Sequence, residues 1–166
     1  MIELRFATPA DAPLILRFIR ALAEYERLPD AVQVTEVILH QQLSAAVPPF
    51  ECVIAERDGV PSGFALFFHT YSTWLGKRGL WLEDLFVLPD ARRHGIGAAL
   101  LRHLGAIAIE RDCGRFEWSV LDWNEPARNF YASFGAKRME EWLICRLEGR
   151  ALAQFAAASA VEADET

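Results

Sequence analysis

Cysteine is scarce in this chain of 166 residues, which contains only three. Cys52, Cys113 and Cys145 are far apart and odd in number, so they predict no disulfide framework, and no pair has the spacing of metal ligands. The four histidines form neither an HxxxH nor an HExxH pattern. The sequence therefore predicts no metal site, and each cysteine is most simply a small buried hydrophobic residue.

Long apolar runs and an excess of basic residues are also missing. No run reaches the roughly 18 apolar residues that a membrane-spanning helix needs. The alternating start, residues 1–6, lacks the basic segment and the apolar core of a signal peptide. The formal net charge is −6, whereas a nucleic-acid-binding protein normally carries a basic excess. We therefore expect a soluble cytoplasmic protein that binds neither nucleic acid nor a membrane, and whose acidity suits a cationic partner.

Apolar sequence is abundant, since 52% of the residues are hydrophobic, and this is enough for one domain over residues 1–166. Hydrophobic periodicity and turn residues predict the element order β-α-α-β-β-β-α-β-α-β-α, with a frayed tail over residues 161–166. An antiparallel N-terminal meander followed by a strand–helix–strand crossover implies an α/β fold. Its central mixed β-sheet should carry helices on both faces.

Local signals place the individual elements. Thr8 and Pro9 mark the start of a helix, and Thr35 starts a second helix that runs towards Leu43. Asp58-Gly59 separates two apolar runs and predicts a β-hairpin. The remaining predictions are an exposed loop over 70–77, strands over 80–88, 116–121 and 142–147, and helices over 97–111, 126–134 and 152–160.

The most informative segment, residues 89–98, lies between the end of a strand and the start of a helix. Gly95 and Gly97 allow a tight turn and the approach of a ligand to backbone amides, and the following helix directs its first amides at an anion. Arg92 and Arg93 add positive charge there. A P-loop would need Gly-Lys-Ser/Thr, and a dinucleotide-binding fingerprint normally lies in a first βαβ unit. A GxG alone would indicate only an ordinary strand-to-helix turn.

Further motifs accompany this GxG. The pattern Arg92-x-x-Gly95-x-Gly97 resembles the pyrophosphate loop of the GNAT acetyltransferase superfamily. Other segments resemble the diamine (spermidine/spermine) N-acetyltransferase family in order and spacing, namely residues 22–26, 70–77, 82–87, 123–126 and 129–131. The resemblance covers residues 3–147, and the stretch 142–157 is similar to relatives that prefer thialysine-type amino acids.

This resemblance implies an N-acetyltransferase that uses acetyl-CoA and acts on a small cationic amine, such as a polyamine, thialysine or a lysine-like compound. It also implies a homodimer held partly by the C-terminal strand and helix. The implied contacts with acetyl-CoA are made by Leu85, Phe86, Val87, Arg92, Arg93, His94, Gly95, Ile96, Gly97, Ala98, Asn124, Glu125, Pro126 and Ala127. The implied substrate contacts are made by Tyr25, Glu26, Glu83, Glu117, Trp118 and Ser119. Arg93 stands where the family commonly has glycine.

Acetyl transfer needs a deprotonated amine, a hydrogen-bond donor for the thioester oxygen and an acid for the departing thiolate. Glu83 and Asp84 are adjacent, so on a regular strand they point to opposite faces. One of them can face a cleft and accept the proton of the amine, directly or through water; a solvated strand edge or an ion pair is the alternative. The resemblance favours Glu83, and it makes Tyr131 the acid, although a half-buried tyrosine is more often structural.

Two other functions remain open at this point. One is a non-catalytic module that binds acetyl-CoA, and the other is an acetyltransferase that acts on a peptide or protein lysine. The presence of both Glu83 and Tyr131 favours an enzyme.

Overall fold

The computed structural model describes residues 1–162. One compact unit spans Met1–Ser119, and a second begins at Val120. The first unit contains β1 (Ile2–Phe6), α1 (Ala12–Tyr25), α2 (Glu36–Leu43), β2 (Glu51–Arg57), β3 (Val60–Ser72), β4 (Lys77–Val87), α3 (Ile96–Glu110) and β5 (Arg115–Trp118). The second contains α4 (Glu125–Ala132) and α5 (Gly149–Glu162).

The strands of the first unit form one mixed sheet in the order β1-β2-β3-β4-β5. The first three pairings are antiparallel, whereas β4 and β5 are parallel and are connected through α3. Asp58 and Gly59 join β2 to β3 with φ angles of 53° and 77°, and a two-residue hairpin turn of type I′ needs positive φ at both positions. The predicted hairpin and the predicted mixed α/β sheet are confirmed.

Alternate residues of the central strands pack on opposite faces of this sheet. On one face, Phe18 of α1 stacks on Phe64 of β3 with ring centroids 5.3 Å apart. On the other face, the guanidinium of Arg111, at the end of α3, lies 5.9 Å from the ring centroid of Phe67. Phe64 and Phe67 are both fully buried. Helices therefore cover both faces, as the crossover predicts.

The start of α1 is tied to the sheet through Asp11. The backbone amide and the hydroxyl of Thr8 donate to the Asp11 carboxylate at 2.8 and 2.9 Å, and Pro9 opens a 3-10 turn that leads into α1. The guanidinium of Arg5, on β1, donates two hydrogen bonds of 2.8 and 2.9 Å to the same carboxylate. The hydrogen bonds from Arg5 lower the pKa of Asp11 to about 2.

Several predicted boundaries are wrong. Residues 142–147 do not form a strand, because no second strand pairs with them within the described part of the chain, and a lone strand cannot satisfy its backbone groups in a ladder. The predicted loop over 70–77 is shorter in the structure, where only residues 73–76 form a turn, since Tyr71 pairs with Arg78 and Ser72 with Lys77. The fifth strand ends at Trp118, where its pairing with β4 ends, and not at residue 121. Of the predicted frayed tail, residues 163–166 lie outside the described residues.

Candidate functional site

The pairing between β4 and β5 stops halfway along β4. It runs from Gly79–Arg115 to Leu82–Trp118, but β4 continues for five more residues, 83–87, to Val87. Over this stretch the edge of β4 that faces away from β3 has no strand partner among the described residues. Its outward amides and carbonyls, in the segment that includes Leu85 and Phe86, can therefore bond a ligand that has amide groups of its own.

A β-bulge in the same strand sets the position of Glu83. Leu66 of β3 pairs with Asp84 and Phe67 pairs with Leu82, so Glu83 is an extra residue on β4. The indole Nε1 of Trp81 donates a hydrogen bond of 2.9 Å to the Glu83 carboxylate.

The bulge overturns the expectation that Glu83 and Asp84 point to opposite faces. Trp81 pairs with Phe68, and Asp84 pairs with Leu66, two residues earlier on β3. Both therefore lie on the face that packs against α1, and Glu83 is bonded to Trp81 on that face. Regular alternation fails here because two residues of one strand oppose a single residue of the other.

The charges of two carboxylates act on Asp84 on this face. Burial, together with the charges of Glu83 and Glu26, raises the pKa of Asp84 to about 7. Burial also raises the pKa of Glu26, which directly follows α1. Three like charges so placed favour either a retained proton or a bound cation. In the sequence, only its adjacency to Glu83 pointed to Asp84.

Arg92 connects the end of β4 to the end of α1. Its Nε donates to the carbonyl of Val87 at 3.0 Å, and its guanidinium lies 4.8 Å from the ring centroid of Tyr25 and 5.5 Å from that of Phe86. The Arg92 side chain thus contacts both β4 and α1. Of the two arginines expected at the anion site, only Arg93 is exposed.

The start of α3 presents an open run of backbone amides. Gly95 is the N-cap with a φ of 82°, and the bond from the amide of Ala99 to the Gly95 carbonyl, 2.9 Å, is the first of the helix. A Cβ at Gly95 would meet no atom within 4 Å, so a ligand can approach the backbone there. Arg93 has a φ of 65°, which costs a residue other than glycine about 1 kcal/mol. The exposed residues Arg93, His94 and Gly95 surround these amides, whereas the Ile96 side chain is buried.

The residues expected to contact substrate on β5 are divided between the two faces of the sheet. Glu117 pairs with Trp81, so it shares the face of Glu83 and Asp84, and it forms an ion pair of 2.7 Å with Arg115. Trp118 lies on the opposite face, edge-on to Phe116 at 4.9 Å between ring centroids. Ser119 follows the end of the strand.

The second unit holds the remaining predicted residues. Asn124 is buried and caps α4, since its side-chain oxygen accepts from the amide of Ala127 at 3.3 Å. Glu125 and Pro126 form the first turn of that helix. Tyr131 is half-buried on α4, with its ring centroid 5.3 Å from that of Phe130. It follows Asn124 by seven residues, about two helical turns.

Comparison with known proteins decides the family. Residues 17–136 match the sequence profile of the Acetyltransferase (GNAT) family. The chain belongs to the GNAT acetyltransferase family. This GNAT chain is 37% identical to the thialysine N-epsilon-acetyltransferase of Sus scrofa, over 92% of the chain and 96% of that protein. It is 32% identical to the L-ornithine N5-acetyltransferase NATA1 of Arabidopsis thaliana, over 90% of the chain and 86% of that protein.

Among solved structures, an integron cassette protein from the mobile metagenome of V. cholerae superposes with a TM-score of 0.77 at 29% identity, covering 93% of this chain and 97% of that one. The resemblance, the fold and the acetyl-transferring activity expected from the sequence are confirmed.

GNAT acetyltransferases use acetyl-CoA as the acyl donor, and the residues of this chain fit it. The unpaired edge of β4 suits an amide-containing arm, and the open amides from Gly95 onwards suit a pyrophosphate. Among residues 1–162, no group of three His, Cys, Asp or Glu side chains is placed to hold a metal ion. No helix in the same range combines the length and apolarity that crossing a membrane requires.

Proposed function

We propose that this GNAT chain transfers the acetyl group of acetyl-CoA to a primary amine of a small cationic compound. The observation that carries the proposal is the group of carboxylates formed by Glu26, Glu83 and Asp84 beside the unpaired edge of β4. The named activities of its relatives, which act on thialysine and ornithine, support an acceptor of this size and charge. Polyamines and lysine-like compounds have the same chemistry.

Two parts of the first unit would hold acetyl-CoA. The backbone from Leu85 to Val87 would bond the pantetheine arm along the edge of β4, and the amides of residues 95–98 would bond the pyrophosphate, aided by the exposed Arg93 and His94. Arg92 would also hold the loop in place through its hydrogen bond to the carbonyl of Val87. In the second unit, the resemblance implies further contacts with acetyl-CoA at residues 124–127.

Acetyl-CoA supplies the thioester carbonyl that the amine attacks. The ammonium group must first lose a proton, and Glu83 would accept it directly or through water. Because the pKa of Asp84 is raised to about 7, the carboxylate group can hold a proton near neutral pH. As the C–N bond forms and the C–S bond breaks, the sulfur needs a proton, and Tyr131 would deliver it.

Thiol release from acetyl-CoA, measured across a panel of amines, tests the proposal. We expect turnover with diamines or diamino acids, and a Glu83→Gln variant should lower kcat as well as raise KM. Binding of acetyl-CoA without turnover on any acceptor would instead identify a non-catalytic module. Turnover on lysine-containing peptides alone would identify a protein acetyltransferase.

We further propose that the protein is a cytoplasmic homodimer. In the second unit, Leu143 and Ile144 are 86% and 73% exposed, and Leu152 and Phe155 of α5 are exposed as well. Apolar residues at such density suit a contact between two copies. Sedimentation equilibrium of the wild-type protein and of a Leu143→Asp variant would test this, since a monomeric wild type would contradict it.

A further inference from the structure

The guanidinium group of Arg115 lies on the same face of the sheet as Glu83 and Asp84. Arg115 begins β5 opposite Gly79, and Glu117 follows opposite Trp81. A Cβ at Gly79 would lie 3.4 Å from Cγ and 3.7 Å from Nε of Arg115, so the side chain of Arg115 runs across the glycine. It ends at Glu117, with 2.7 Å between Nε and the carboxylate oxygen.

Along the direction of β4, Arg115 and Glu83 lie on opposite sides of Trp81. Their positions along β4 are four residues apart, which corresponds to about 13 Å of strand. Each side chain shortens this gap, because Glu83 accepts from the Trp81 indole at 2.9 Å and Arg115 reaches the residue that pairs with Trp81. In the register of the sheet, the half-buried Trp81 therefore lies between the positions of Glu83 and Arg115.

We infer that Arg115 binds a carboxylate of the acceptor, which makes the acceptor a diamino acid rather than a diamine. This inference rests on the proposed function. A diamino acid would place its side-chain amine near Glu83 and Asp84, and its methylene groups over Trp81. Its α-carboxylate would meet the guanidinium of Arg115, while its α-ammonium would meet Glu117.

The charges on this face distinguish the two kinds of acceptor. A guanidinium has five N–H donors, so one bond to Glu117 leaves donors for a second carboxylate. A diamine offers Arg115 no anion and brings a second positive charge close to it. Arg115 is thus a residue that selects among acceptors, and neither the amine nor the thioester needs it for the chemical step.

Matched acceptors isolate the carboxylate. Lysine and cadaverine differ only in that group, as do ornithine and putrescine, and lysine amide keeps the α-ammonium but lacks the charge of the carboxylate. In Arg115→Gln, the ratio of kcat/KM for lysine to kcat/KM for cadaverine should fall about tenfold or more, through KM for lysine. In Arg115→Lys, which keeps the positive charge but not the paired N–H donors of a guanidinium, this ratio should fall less. The kcat/KM for lysine amide should change less than that for lysine in both Arg115 variants.

Arg78→Gln is the matched control. Arg78 precedes Gly79 on β4, so it faces the opposite side of the sheet, where its charge acts on His69. This variant loses the same charge and should keep the wild-type ratio. Thermal melts of both variants report whether the substitution disturbs the fold.

The possible outcomes separate the role of Arg115 from the proposed function. An active Arg115→Gln variant with an unchanged ratio, or a wild type that prefers cadaverine to lysine, would overturn the role of Arg115 and leave the proposed function intact. A wild type that acetylates no amine would overturn the proposed function and this inference together.

Discussion

Asp84 offers a test of the carboxylate group that does not depend on activity. Its pKa is raised from 3.8 to about 7 by burial and by the charges of Glu83 and Glu26. As the pH rises from about 4 to 7, the unfolded chain releases this proton while the folded protein keeps it, so the folded state becomes less stable. At 1.36 kcal/mol per pKa unit, the loss amounts to about 4 kcal/mol once the pH exceeds both pKa values.

The substitution Asp84→Asn removes this titration. We therefore expect the variant to gain stability relative to the wild type as the pH rises, with the difference widening by about 2 to 3 kcal/mol between pH 5 and pH 8. Urea denaturation at a series of pH values measures the free energy of unfolding directly. The comparison of slopes matters more than any single value, because the asparagine also changes hydrogen bonding at every pH.

Asp90→Asn provides the control, since Asp90 is exposed in the turn that follows β4. Its stability curve should run parallel to that of the wild type. If the Asp84→Asn curve also ran parallel, Asp84 would titrate as an ordinary surface carboxylate and would hold no proton near neutral pH.

Three further changes probe other parts of the molecule. Gly95→Val should weaken acetyl-CoA binding, as measured by calorimetry. Gly59→Val is the control, because Gly59 also has a positive φ, 77°, and open space around it, but should not affect binding. If both variants bound acetyl-CoA equally well, the anion site would not lie at the start of α3. Tyr131→Phe should lower kcat about 100-fold with little change in acetyl-CoA affinity, and near-full kcat with chemistry rate-limiting would leave Tyr131 a structural aromatic. The Arg5 hydrogen bonds lower the pKa of Asp11 to about 2, so Asp11→Asn should reduce the free energy of unfolding by about 2 kcal/mol at pH 7. This loss of stability should shrink as the pH falls from about 4 towards 2. A loss that does not depend on pH would contradict the link to the Asp11 pKa.

Local chemistry made parts of this fold predictable. The Asp58-Gly59 turn needs two residues that tolerate positive φ, and the sequence supplies both at the point where two apolar runs meet. The start of α3 was equally clear, because Gly95 and Gly97 stand between a strand and an apolar helix face. The helix begins within one residue of the predicted position.

Features that depend on two chain segments could not be predicted from one of them. The bulge at Glu83 is a property of the register between β3 and β4, so adjacency alone gave the wrong faces for Glu83 and Asp84. The motif draws attention to Arg92, but its contact with the Tyr25 ring depends on α1, which lies far away in the sequence. The apolar stretch 142–147 resembles a strand in composition, yet a strand exists only where another one pairs with it.

The bulge also separates the architecture of the sheet from its chemistry. Leu66 pairs with Asp84 and Phe67 with Leu82 on either side of Glu83, so a chain shorter by that one residue would keep both pairs in an uninterrupted ladder. Glu83 is therefore a supernumerary residue as far as strand pairing is concerned. The scaffold and the carboxylate can be altered independently, which makes this position a natural place to exchange the reactive group while retaining the fold.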